Sequence, residues 1–212
     1  MSAAKAEILG RIRAALGART DARVEDYRAI PRRYLQAGTL AAAARLDLFL
    51  SRIRQYDGGV FRCDAASIHE TITRALSDRG RRRIVVPAGF PREWLPDGFT
   101  FLADDNLSDD DLDRSEGALT ASTVAIARTG TIVLRHSPRE GRRALTLVPD
   151  YHLCVVEADQ IVETVPEAMR RLHALNPSLV TTISGPSATA DIEMTRIKGV
   201  HGPRTLDVIV VA

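Results

Sequence analysis

From Ala65 onward the chain alternates segments of helical and strand periodicity, and this alternation constrains the fold more than any other feature. Ser67 to Ser77 has helical spacing, whereas Arg83-Ile84-Val85-Val86-Pro87 is a short apolar run of the kind that a sheet covered on both faces buries. Further strands are expected at Phe99 to Ala103, Ala121 to Ala127, Thr131 to Arg135, His152 to Glu157, Leu179 to Ile183 and Leu206 to Val211. Helices are expected from about Val162 to Leu175 and from Ala188 to Lys198. Alternating β and α elements predict an α/β fold: a mostly parallel, Rossmann-like sheet with helices on both faces. One stretch departs from that rule. Val124 to Ala127, then Arg128-Thr129-Gly130, then Thr131 to Leu134 reads as a β-hairpin, with Gly130 supplying the positive φ of a tight turn, so the sheet should be mixed.

The N-terminal part reads differently. Ile8, Ile12 and Leu16 recur at i, i+4, i+8 and predict an amphipathic helix ending near Gly17; a role in packing on its own domain or on another subunit outweighs a membrane-surface role at this length. The Pro31 region breaks the chain. A second helix is expected over Leu40 to Tyr56, with Leu46, Phe49, Leu50 and Ile53 on its apolar face and Asp57-Gly58-Gly59 ending it. Residues 1–60 thus form an expected helical extension, and residues 61–212 the α/β domain.

With 212 residues the chain is long enough for one sizeable core. A net charge of +2, spread along the sequence, supplies no basic face for nucleic acid. Only Lys5 and Lys198 are lysines, so amine catalysis has few candidates. Cys63 and Cys154 lie far apart without metal-ligand spacing, so neither a cluster nor a zinc site within the chain is expected, and no cofactor of its own. In the acidic stretch Asp104 to Glu116, Leu107 and Asp110 occupy positions where a calcium loop needs a ligand and a glycine; Ser108 followed by Asp111 reads instead as a capped helix start. No apolar run reaches the ~20 residues of a membrane span, and no signal peptide is evident, which places the chain in the cytoplasm.

The segment Ser184-Gly185-Pro186-Ser187-Ala188-Thr189-Ala190-Asp191-Ile192-Glu193 follows a strand-like run and leads into an expected helix start. Backbone N–H groups at such a start, with the hydroxyls of Ser187 and Thr189, would hold an anion. The plainer reading is a helix capped by Ser184 or Ser187, with Asp191 complementing the dipole. His201 sits in the connection Gly199-Val200-His201-Gly202-Pro203, and His152 opens a strand after Pro149-Asp150; either binds a ligand or only satisfies a backbone group.

Four segments in order, Ala127-Arg128-Thr129-Gly130-Thr131, Leu147-Val148-Pro149-Asp150-Tyr151-His152, Ser184 to Glu193, and Gly199 to Pro203, together resemble the lactate utilization protein C family, or LUD domain. The resemblance runs from Gly117 to Val211 and implies a fold similar to that of CoA transferases, ribose-5-phosphate isomerases and glucosamine-phosphate deaminases. It implies a non-redox component of a bacterial L-lactate utilization system, oxidising lactate to pyruvate with iron–sulfur partner proteins. A small anionic ligand would then be held by Thr129, Gly130, Thr131, His152, Gly185, Ser187, Thr189, Asp191, Glu193, His201 and Gly202; a homo-oligomer is compatible with this. Arg128 departs from the family pattern, standing where an acidic residue is usual, and could itself bind an anion. The alternative is a stand-alone enzyme of the CoA transferase or sugar-phosphate isomerase type, with Glu116 or Glu193 as nucleophile or Lys198 as amine. That paucity of candidates favours the first reading.

Overall fold

The computed structural model describes residues 3–17, 21–190, 196–199 and 201–212. Contacts divide the chain into two units, Met1–Tyr34 and Leu35–Ala212. The first carries α1 (Ala3–Leu16) and α2 (Asp21–Ala29). Ile8, Ile12 and Leu16 fall on the predicted helix, and all three are exposed. Helix α2 was not anticipated, because Asp21–Ala29 has no apolar periodicity to reveal it.

The second unit contains α3 (Ala42–Gln55), β1 (Gly59–Cys63), α4 (Ile68–Asp78), β2 (Arg83–Pro87), β3 (Thr100–Asp104), α5 (Asp109–Asp113), β4 (Gly117–Thr120), β5 (Val124–Ile126) and β6 (Thr131–Leu134). It continues with β7 (Tyr151–Glu157), β8 (Ile161–Val162), α6 (Val165–Leu175), β9 (Thr181–Ile183), β10 (Ala188–Ala190), β11 (Arg196–Lys198) and β12 (Thr205–Val211). Six strands form one sheet in the order β1-β12-β7-β4-β2-β3, and every pairing in it is parallel. The predicted hairpin exists, β5 pairing antiparallel with β6, but it belongs to a second sheet of order β8-β5-β6-β9. The α/β class and the parallel sheet with helices on both faces are as expected; the mixed pairing is confined to the smaller sheet.

Period-2 alternation sends the two faces of the main sheet into different cores. Tyr151, Leu153, Val155 and Ile209 pack with Ile68, Ile72 and Leu76 of α4. The opposite face, with Cys154, Val156, Val208 and Val210, packs on Leu46, Phe49, Leu50 and Ile53 of α3 and on Ala125, Ile132 and Leu134 of the second sheet. The i, i+3, i+4, i+7 spacing on α3 thus does bury the face that it predicts. Helix α6 covers the far side of the second sheet through Ala168 and Leu172. It starts at a capping box in which Thr164 Oγ1 accepts from Glu167 N and Glu167 Oε2 accepts from Thr164 N, and it stops at Asn176 in the left-handed region. Ser108 caps α5 as read, accepting from Asp111 N at 3.1 Å.

The expected helix from Ala188 to Lys198 is not found. Ala188–Ala190 and Arg196–Lys198 are instead antiparallel partners, with Thr189 opposite Ile197.

Candidate functional site

His152 is the second residue of β7 and Leu206 the second of β12, and the two are paired in register. With Arg143, Thr146, Ser187 and His201 they line a cavity of about 250 Å³ that also reaches β9, an edge strand of the second sheet. The cavity therefore sits at the N-terminal ends of the parallel strands, not at the carboxyl ends where an open α/β sheet usually binds its ligand. With β10 in place of a helix, no helix N-terminus lies beside Gly185 among the described residues, so the Gly185 turn leads into a strand and not into the expected helix start.

His152 is 1% exposed. Its Nε2 lies 2.8 Å from Thr120 Oγ1, and burial, aided by the Arg143 charge, pushes its pKa down to about 4, so the ring is neutral near pH 7. Arg143 donates from Nη1 to Thr146 O and Thr146 Oγ1, each at 2.9 Å. Among the described residues no carboxylate pairs with it. This sets it apart from Arg79, Arg128, Arg139, Arg142 and Arg204, which meet Asp207, Glu163, Glu157, Asp104 and Asp150. Sequence reading missed Arg143, and no local signal distinguishes it from Arg142: the acid that claims Arg142 is Asp104, 38 positions away.

The Gly199 to Pro203 connection is fastened to the cavity through Ser187. Ser187 Oγ accepts from His201 N at 3.0 Å, Ser187 N donates to Pro203 O at 2.8 Å, and Ser187 O accepts from Gly199 N at 2.9 Å. Gly185 turns the chain at φ +83°, and a Cβ there would lie 2.5 Å from Tyr56 Cβ.

His152, Gly185, Ser187, His201 and Gly202 thus share one cavity. Thr129 and Thr131 line a different one, of about 600 Å³, beneath α6 with apolar walls including Ile126, Val133 and Leu172. A hydroxyl chain joins the two regions: Thr129 Oγ1 lies 2.7 Å from Thr131 Oγ1, itself 2.8 Å from Ser184 Oγ, and Ser184 borders both cavities. Gly130 packs against Arg52 of α3 at φ +60°, in the hairpin turn. Thr189 pairs through its backbone in β10, and Asp191 and Glu193 lie outside the described residues.

Arg128 does not reach either cavity. Its Nε and Nη2 donate to Glu163 Oε1 at 3.0 and 2.6 Å, while Glu163 Oε2 accepts the Thr39 and Leu40 amides. Glu116 is likewise committed, its Oε2 accepting from the amides of Arg82 and Arg83, which hold its pKa below the usual carboxylate range.

A parallel, doubly covered sheet with a smaller mixed sheet against one face and a polar cavity at their junction defines a Rossmann-like α/β protein. The chain belongs to the LUD domain family, whose profile matches residues 92–211, as the four sequence motifs indicate. It is 46% identical over 175 residues to lactate utilization protein C of Deinococcus radiodurans, covering 81% of this chain and 82% of that one. Lactate utilization protein C of Shouchella clausii is 34% identical over 113 residues, 51% of this chain and 49% of that protein. A crystal structure of a DUF162 family protein from Deinococcus radiodurans superposes with a TM-score of 0.72 at 42% identity, covering 82% of this chain and 100% of that one. Among the described residues no helix is long and apolar enough to cross a membrane.

Proposed function

We propose that this protein is a non-redox component of a bacterial L-lactate utilization system, binding a small anionic metabolite in the cavity at Arg143 and acting with iron–sulfur partner proteins. The observation that carries the binding half is Arg143: a guanidinium beside a cavity, oriented by Thr146 and without a carboxylate partner among the described residues. Such a group is complementary to a carboxylate, which it can take through paired N–H donors. A volume of about 250 Å³ suits a compact metabolite, since sites for drug-sized ligands run to roughly 300–1,000 Å³. The lactate assignment rests on the names carried by the relatives, at up to 46% identity in those quoted. Two cysteines in the whole chain are too few to hold a cluster of the four-cysteine kind, so electron transfer falls to partners. The transferase alternative loses Glu116, whose carboxylate is occupied by backbone amides.

Two measurements test the reading. Calorimetric titration with L-lactate, pyruvate and glycolate should show binding of at least one acid by the wild-type protein and none by Arg143→Met. Deleting the gene should abolish growth on L-lactate as sole carbon source, with restoration by the wild-type gene but not by the Arg143→Met allele. Normal growth of the deletion strain would overturn the pathway assignment, and unchanged binding by Arg143→Met would overturn the site.

A further inference from the structure

The imidazole of His152 is held by a hydrogen-bond chain that runs away from the cavity. Its Nε2 meets Thr120 Oγ1 at 2.8 Å; Thr120 Oγ1 donates to Cys154 Sγ at 3.7 Å; and Cys154 Sγ donates to Ala121 O at 3.7 Å. All three side chains are buried, so water does not compete for these groups. The last member is a backbone carbonyl, which accepts only, and this gives the chain a direction. Cys154 must supply its proton to a backbone carbonyl, Ala121 O or, at 3.9 Å, Val155 O, and either choice leaves the sulfur as an acceptor for the Thr120 hydroxyl proton. Having given that proton away, the Thr120 oxygen can serve His152 only as an acceptor, so the ring proton belongs on Nε2. Burial holds the Cys154 thiol up at about 12, so the proton that starts this ordering stays in place across the physiological range.

We infer that the Thr120–Cys154–Ala121 chain sets His152 in the Nε2–H tautomer, presents a bare Nδ1 acceptor to the cavity, and makes the site select small carboxylates bearing a 2-hydroxyl over their 2-oxo counterparts. Nδ1 has no hydrogen-bond partner among the described residues, while the ring lines the cavity together with Arg143. A carboxylate on Arg143 brings its α-substituent toward that nitrogen. A hydroxyl donates to Nδ1. A ketone oxygen has no proton to give and sets lone pair against lone pair, leaving the acceptor unsatisfied. Thr120 and Cys154 act as positioning residues, through the tautomer of His152. The inference rests on the reading of the cavity as a small-anion site.

The test has a spectroscopic arm and a binding arm. In ¹⁵N-histidine-labelled, ligand-free protein at pH 7, with His152 assigned from the signals lost in His152→Gln, the expected pattern is a protonated Nε2 and an unprotonated Nδ1. In calorimetric titrations L-lactate should bind more tightly than pyruvate by about tenfold or more, the consequence of leaving one buried acceptor unpaired. Cys154→Ala removes the acceptor of the Thr120 hydroxyl, frees it to donate to Nε2, and should populate the Nδ1–H form and shrink the preference to within about threefold. Thr120→Ser keeps the hydroxyl and should keep both the tautomer and the preference. An Nδ1–H tautomer in the wild-type protein, or pyruvate binding as tightly as L-lactate, overturns the selectivity mechanism and leaves the anion site standing. If L-lactate, pyruvate and glycolate all fail to bind, the anion reading falls, and the selectivity falls with it.

Discussion

Arg79 forks across the fully buried carboxylate of Asp207, with Nε 2.8 Å from Oδ2 and Nη2 2.7 Å from Oδ1. Asp207 lies on β12, within the central strands, and its only other side-chain donor among the described residues is the hydroxyl of Tyr151 at 3.0 Å. Removing one partner of a buried pair costs far more than the pair contributes, because the charge left behind has lost both water and counter-ion. Because the Arg79 side chain is itself 42% exposed, solvent screens part of the interaction, and Arg79→Met should lower unfolding free energy by about 1–3 kcal/mol in urea titrations. Arg128→Met should cost less, because Glu163 keeps the amides of Thr39 and Leu40. Equal losses in the two variants would show that the amides contribute nothing to holding the Glu163 carboxylate.

His152 also makes stability depend on pH. Its pKa falls from 6.5 to about 4 on folding. Above 6.5 the ring is neutral in both states and contributes no slope; between 6.5 and 4 the unfolded chain takes up a proton that the native state refuses, so stability declines as pH falls. The loss amounts to about 3 kcal/mol by pH 4. His152→Gln should remove that component from a stability–pH profile. An unchanged slope in the variant would place the titrating group elsewhere.

Gly185 joins backbone strain to close packing. At φ +83° an L side chain is disfavoured, and a Cβ would lie 2.5 Å from Tyr56 Cβ. Gly185→Ala should cost about 2 kcal/mol or more and disturb the cavity wall. Adding Tyr56→Ala should recover part of that loss, since it relieves the overlap but not the dihedral. Full recovery in thermal melts would show that packing alone requires the glycine.

The two thiols should differ in reactivity. Cys154 is buried and its pKa pushed up to about 12, whereas Cys63 is only partly buried at the end of β1. Iodoacetamide at pH 8 should label Cys63 in the native protein and reach Cys154 only after unfolding. Native-state labelling of Cys154 would mean that the His152–Thr120–Cys154 region opens readily.

Much of the framework is legible in the sequence. Ile84–Pro87 is an uninterrupted apolar run and, with Arg83 leading into it, appears as β2 (Arg83–Pro87), while the Thr129-Gly130 turn lies between β5 and β6 as its residues require. Strand β4 is not legible in the sequence because Gly117–Thr120 carries neither a long apolar run nor a β-branched pattern; its burial comes from distant groups, Ala118 packing with Leu112 and Leu145 and Leu119 with the α4 core. The expected helix gives way to a strand pair at 188–190 and 196–198 because small residues such as Ala188 and Ala190 tolerate either conformation, so the local sequence does not choose and the backbone pairing of the two segments does.

By itself the sequence determined the α/β class, the hairpin, the apolar face of α3 and, through four motifs, the LUD domain family, all carried by local periodicity, turn chemistry or residues close in the chain. Only the tertiary structure decided that the hairpin belongs to a second sheet, that the cavity opens at the N-terminal ends of β7 and β12, and that Arg143 has, among the described residues, no acid such as its neighbour Arg142 finds in Asp104. Those outcomes depend on which distant groups meet, on the charge and hydrogen bonds they exchange, and on the water they exclude. Arg143 and Asp104 are separated by as much chain as Arg142 and Asp104, give or take one residue, and one position of register sends neighbouring side chains to different partners.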